Sequence, residues 1–162
     1  EEIRKLLIAS VSAANSVIYT RARLDFKNFG MGTTCVAAFV KKNTAFIINV
    51  GDSRAYLISD NGLSQITTDH NVSTLLFEQG KISEAEMETH PQRHMLVRAV
   101  GVEKTVLADT FILDYEDKIS LLLASKEPCN GWTKTCSPNP NGSARCPMHA
   151  ALPTTRRTLP QP

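Results

Sequence analysis

Two short stretches hold the residues best suited to chemistry: Gly51-Asp52-Ser53-Arg54, set between apolar segments, and Asp69-His70 further along. Aspartates can ligate hard divalent cations, which demand oxygen donors. A short aspartate side chain in a turn can instead accept its own backbone amides, and an arginine nearby can hold it by charge-assisted hydrogen bonds. Arg54 stands where it could hold Asp52 in this way, so the turn Gly51 to Arg54 reads as scaffold more than as direct chemistry. Asp69, read from its position alone, is a loop carboxylate or a cap for the helix that follows. His90, Arg93, His94 and Arg98 could form a phosphate or metal cluster, but no metal-ligand spacing links the histidines, and they read as partly exposed strand and loop residues. Cys129, Cys136, Cys146 and His149 are zinc-binding types at a spacing that matches no paired knuckle. Cys35, inside an apolar run, reads as a small buried hydrophobe.

The elements that must position these residues follow from periodicity. Ile3, Leu6, Leu7, Ser10, Val11, Ala14, Val17 and Ile18 recur at helical spacing and predict an amphipathic helix of about five turns lying on a sheet. Thr33 to Val40 and Ala45 to Val50 predict two strands joined by a turn at Lys41-Lys42-Asn43. A third strand is expected over Arg54 to Ser59, then a tight turn at Asp60-Asn61-Gly62 into Leu63 to Thr67, the whole forming an antiparallel meander. Val72, Leu75 and Leu76 predict a helix stopped by Gly80. Ser83 should cap a second short helix, with Glu86 completing a capping box. Strands around Val106 to Leu113 and Ile119 to Leu123 close the region, and the class is α+β.

Composition narrows the function classes. A net charge of +2 over 162 residues is too small for a nucleic-acid footprint or a polybasic membrane surface. No stretch has the length of a membrane span and the acidic start is unlike a secretory signal, so the expected location is cytoplasmic. After Ser125 the composition changes abruptly. Residues 126–162 contain no Ile, Val, Phe or Tyr and hold nearly all the prolines. Such a segment cannot offset its ordering entropy by apolar burial, so a folded part over 1–125 and a disordered or aberrant tail over 126–162 are expected.

Taken in order, GMGTT (Gly30 to Thr34), INVGDSRAYLI (Ile48 to Ile58), LSQITTDHNV (Leu63 to Val72), HPQRHMLVRAVG (His90 to Gly101) and DKISLLLAS (Asp117 to Ser125) resemble the metal-dependent type 2C Ser/Thr protein phosphatases, particularly their bacterial branch. Their shared order and spacing make the resemblance specific. It implies a partial four-layer α-β-β-α sandwich, two antiparallel sheets flanked by helices. It also implies hydrolysis of phosphoserine and phosphothreonine on proteins by water activated on Mn²⁺ or Mg²⁺, with phosphoproteins and a Ser/Thr kinase as partners. By the same resemblance Asp69 helps hold a third, weaker metal. Asn71 to Gln92 forms a mobile flap near the substrate entrance, with His70, His90 and Arg93 about it, and Gly51, Asp52, Ser53 and Arg54 support the metal centre.

The resemblance also marks what the sequence does not supply. The family's Asp-Gly-x-Gly-Gly strand would precede the first helix, and the apolar strand ISLLLAS, which should run into Ser-Asp-Gly, continues as Ser125-Lys126-Glu127-Pro128. Lys126 thus stands where a metal ligand should be, and Cys129 to Lys134 looks like a damaged continuation, a change of the kind a shifted reading frame produces. The chain alone is accordingly expected to have little or no activity. A second expectation is a non-catalytic module that binds a phosphoprotein or a kinase. A third rests on a resemblance of Gly32-Thr33-Thr34 and Asp52 to the N-terminal-threonine hydrolases of the proteasome type, but no supporting lysine follows in Tyr56 to His70.

Overall fold

The computed structural model describes residues 1–59, 62–115 and 119–125. The expectations placed on 126–162, namely disorder and a damaged continuation, lie outside the described residues, as do Cys129, Cys136, Cys146 and His149.

Helix α1 spans Glu2–Leu24. Glu2 in its first turn and Arg21 and Arg23 in its last complement the helix dipole. Beyond it Asp25 turns extended, and its carboxylate accepts from the Lys27 amide and the Asn28 side chain. The buried line runs through Leu7, Val11, Asn15, Ile18 and Ala22, with Ile8 beside it. Leu6 and Val17, expected in the stripe, are instead 64% and 67% exposed. A period of 3.6 residues turns them well away, onto the face opposite a line centred on Val11 and Asn15. Asn15 is buried without penalty because its amide donates to the carbonyls of Glu103 and Lys104 and its oxygen accepts from the Gly101 amide.

Two three-stranded antiparallel sheets follow, which is the α+β class expected. In the first, β1 (Cys35–Lys41), β2 (Thr44–Val50) and β5 (Asp109–Asp114) lie in the order β1-β2-β5. In the second, β3 (Arg54–Ser59), β4 (Gly62–Gln65) and β6 (Ser120–Ala124) lie in the order β4-β3-β6. The β1–β2 hairpin closes through Lys42 and Asn43, with Lys42 at φ 52°. Tyr115 steadies that tip, its amide on the Asn43 carbonyl and its hydroxyl on that of Lys42.

Strand β2 is the spine of the core. Ile48 and Val50 pack with Val11 of α1 and Val100, while Ala45, Ile47 and Asn49, on the opposite face, are fully buried as well. A central strand covered on both faces reads as a near-continuous apolar run, which is how residues 45–50 read save for Asn49. Burial of each large aliphatic side chain here contributes about 1.5–3 kcal/mol.

The expected meander holds within β1–β2 and within β3–β4 but not between β2 and β3. Strand β2 takes β5 as its second neighbour, and β3 takes β6. Periodicity identifies strands but not their partners. What turns the chain out of one sheet and into the other is the three-residue corner Gly51 to Ser53, with Gly51 at φ 103°. Thr33, expected to open β1, makes an isolated bridge to Val100 instead.

Between β4 and β5 the chain makes a helical excursion with α2 (Val72–Glu78) and α3 (Glu84–Thr89). Asn71, not Asp69, caps α2 by accepting from the Thr74 amide, and the Ser83–Glu86 capping box opens α3 as expected. The base of the excursion is closed by an Asn71–Leu96 bridge, in which the Val72 amide donates to Met95 and the Val97 amide to His70. Among the described residues no helix is long and apolar enough to cross a membrane.

Candidate functional site

The corner between the sheets is bound on every side. The Gly51 amide donates to His70 Nδ1 at 3.0 Å, and the His70 amide donates back to the Gly51 carbonyl at 3.1 Å. Asn49, wholly buried, donates from its side chain to the carbonyls of Gly51 and Thr68. Ser53 Oγ and Thr34 Oγ1 share a hydrogen bond of 2.7 Å. The segment Ile66 to His70 therefore runs as a strap along the corner, fixed further by Ile66 N–H to Ala55 and by Ala55 N–H to Thr67 Oγ1.

Arg54 and Asp69 join corner and strap. Arg54 Nε donates to Asp69 Oδ1 at 2.8 Å and Nη2 to Oδ2 at 2.7 Å, a two-pronged pair with side chains only 20% and 8% exposed. Burial pushes the Arg54 guanidinium toward losing its proton, but hydrogen bonds to Asp69 and Tyr56 and the charge of the Asp69 carboxylate outweigh it, so the cation is held above its ordinary range. Gln65 and Asn71 add longer contacts to the two Asp69 oxygens, each at 3.4 Å. The Arg54 fork thus closes on a residue that returns to it through the strap.

His70 carries a second network. Because the Gly51 N–H donates to Nδ1, that nitrogen must be the bare one, and the hydrogen sits on Nε2. Nε2 then donates to Asp109 Oδ2 at 3.0 Å, while Arg98 Nη1 donates to Asp109 Oδ1 at 2.7 Å. Arg98 Nη1 also lies 3.2 Å from His70 Nε2, a close approach of two donors made tolerable by the carboxylate they share. Burial pushes the Asp109 carboxyl up, but the hydrogen bonds from His70 and Arg98 together bring it below its ordinary range.

The sequence-predicted residues are thus sorted by the structure. Arg54, Asp69 and Asn71 meet in one network, Gly51 and His70 in a second, and Ser53 pairs with Thr34 between them in the chain. His90 and Arg93 lie in the excursion, where the His90 ring accepts from the Gln92 amide and the His90 carbonyl from the Arg93 amide. Arg98 bonds Asp109, apart from His90 and Arg93. Thr34 spends its hydroxyl on Ser53, and Thr33 has both backbone groups in the Val100 bridge, so neither is presented as a nucleophile. The sequence reading missed Asn49, Gln65 and Asp109. Only an asparagine inside an otherwise apolar strand, Asn49, left a visible sign.

The chain is similar to known proteins over its described part. The protein phosphatase 2C family model matches residues 2–95. The serine/threonine phosphatase Stp of Listeria welshimeri is 41% identical over 127 residues, covering 77% of this chain and 50% of that relative. The serine/threonine protein phosphatase PstP of Mycobacterium tuberculosis is 38% identical over 94 residues, covering 58% of this chain and 18% of that relative. Among solved structures, the serine/threonine phosphatase Stp1 from Staphylococcus aureus superposes with a TM-score of 0.66 at 39% identity, covering 68% of this chain and 43% of that one. The S. agalactiae serine/threonine phosphatase gives a TM-score of 0.70 at 27% identity, covering 75% and 50%. The chain spans about half the length of the Listeria relatives it matches.

Proposed function

Since this chain belongs to the protein phosphatase 2C family, we propose that it is a segment of a protein serine/threonine phosphatase that removes phosphate from phosphoserine and phosphothreonine on other proteins. The observation that carries this is the family match over residues 2–95, which takes in the corner, the strap and the excursion. The proposal includes a cytoplasmic location, a Ser/Thr kinase as a functional partner, Mn²⁺ or Mg²⁺ as the ions, and the excursion as a flap beside the substrate entrance, with His90 and Arg93 on it.

The family is metal-dependent, and metal supplies the nucleophilic hydroxide in such chemistry. The described residues do not fit that centre. They contain no group of three or more His, Cys, Asp or Glu able to hold an ion. Asp69 gives both oxygens to Arg54, and Asp109 is shared by Arg98 and His70. No catalytic step is therefore assigned to these residues; their part in the reaction is to build the frame around the corner.

The test is a chimera in which residues 1–125 replace the matching part of the Listeria welshimeri phosphatase. Mn²⁺-dependent phosphate release from a phosphothreonine peptide is expected from the chimera and not from the 162-residue chain. A folded chimera without turnover would overturn the reading.

A second reading, a module that binds a phosphoprotein or kinase without cleaving it, draws on the same carboxylates, each neutralised by an arginine. It predicts saturable binding of the phosphopeptide to the chain with no phosphate released.

A further inference from the structure

The two ends of the helical excursion converge on one carboxylate. His70 stands on the incoming side and Arg98 on the outgoing side, and the bridge between Asn71 and Leu96 lies just inside them. His70 Nε2 reaches Asp109 Oδ2 at 3.0 Å, and Arg98 Nη1 reaches Oδ1 at 2.7 Å. Asp109 belongs to neither end: it opens β5, in register with Asn49 of β2. Through the other edge of the His70 ring the same assembly holds the Gly51 amide, the first residue of the corner.

We infer that Asp109 is a positioning residue that clasps both roots of the excursion to the first sheet and, by fixing the His70 ring, sets the Gly51 to Ser53 corner. An imidazole can accept at Nδ1 and donate at Nε2 only in one tautomer, and a carboxylate facing Nε2 selects that tautomer. Without the acceptor, Nε2–H faces only the Arg98 cation, a donor, so the ring has reason to rotate or change tautomer and release Gly51. Among the described residues His70 Nδ1 is the acceptor of the Gly51 amide, and a buried amide left unpaired is costly. The corner and the excursion are thereby one mechanical unit, although 19 residues separate Gly51 from His70 and 28 separate His70 from Arg98. The importance of this unit for substrate entry rests on the phosphatase reading above, whereas the clasp itself does not.

The experiment is heteronuclear NMR on the 162-residue chain near neutral pH, reading the His70 ring nitrogens and the exchange of backbone amides. In the unaltered chain His70 is a single tautomer with hydrogen on Nε2. In Asp109→Ala that signature is lost, and exchange at Gly51 and Val97 rises together by about tenfold or more while β2 amides stay protected, as expected of a local opening. Asp109→Asn keeps an oxygen facing Nε2 and retains both the tautomer and the Gly51 protection. Should Asp109→Ala not fold, Arg98→Ala serves: it frees Val97 and leaves Gly51 protected. Unchanged Gly51 exchange in folded Asp109→Ala, a uniform rise across β2, or a His70 with hydrogen on Nδ1 in the unaltered chain overturns the clasp. None of these readouts needs turnover, so a failed clasp and a failed phosphatase reading are separable.

Discussion

Arg54 and Asp69 form a two-pronged ion pair, with bonds of 2.8 and 2.7 Å, that ties the second sheet to the strap leading into the helical excursion. Both side chains are largely withdrawn from water, so removing Arg54 takes the two-pronged donor from a buried carboxylate, and removing Asp69 takes the matching acceptor from Arg54. Asp69→Ala and Arg54→Ala should each destabilise the chain by about 3–5 kcal/mol, whereas replacing both by apolar residues of similar volume should cost much less. Urea unfolding of the singles and the double gives the coupling directly. Additive losses would show that the pair is not the unit described.

Asp109 makes stability depend on pH with a definite sign. Its folded carboxyl lies below the ordinary range, since the His70 and Arg98 hydrogen bonds outweigh the opposing effect of burial. A depressed folded value means the contribution is complete above the unfolded carboxyl value of about 3.9 and is lost as pH falls through the folded value. Glu86, lowered by the Ser83 amide and hydroxyl, acts with the same sign. The diagnostic is therefore the difference between the unaltered chain and Asp109→Asn. Denaturation series from about pH 5 to pH 2 should converge as the acid limit is approached.

Gly51 is a position where no other residue fits. Its φ of 103° is unfavourable for a side chain, and an added Cβ would lie 2.7 Å from Thr34 Cβ. Gly51→Ala should cost at least about 2 kcal/mol. Shortening the obstacle with Thr34→Ser should recover only part of it, because the backbone strain remains. Full recovery, read by thermal unfolding of the double variant, would mean that the contact alone was at fault.

What could be read from the sequence was what is local. Helix α1, the β1–β2 hairpin, the Ser83–Glu86 capping box and the corner at Gly51 all follow from periodicity or turn chemistry within a few residues. The partners were not legible. Arg54 finds a carboxylate that comes back through the strap, β2 finds β5 rather than β3, and Arg98 bonds Asp109. Each pairing depends on which sheet a strand joins, and no short-range pattern encodes that. Asn15 sat unmarked on an apolar helix face because its partners are backbone groups of residues 101–104.

Asp69 is held too firmly by Arg54 to serve readily as a ligand of the third, weaker metal. A cation approaching this carboxylate must compete with the Arg54 guanidinium, which already bonds both oxygens of a side chain only 8% exposed. A single carboxylate with amide neighbours such as Gln65 and Asn71 is a poor site for hard cations, which take six or more oxygens. In the 162-residue chain, millimolar Mn²⁺ should therefore leave the amide signals of residues 68–71 sharp, since paramagnetic broadening requires the ion nearby. In Arg54→Ala, if the fold is kept, the freed carboxylate should produce selective broadening there. Broadening at Asp69 in the unaltered chain would mean that the ion competes successfully with the guanidinium, and Asp69 would then count as a metal ligand instead of an anchor.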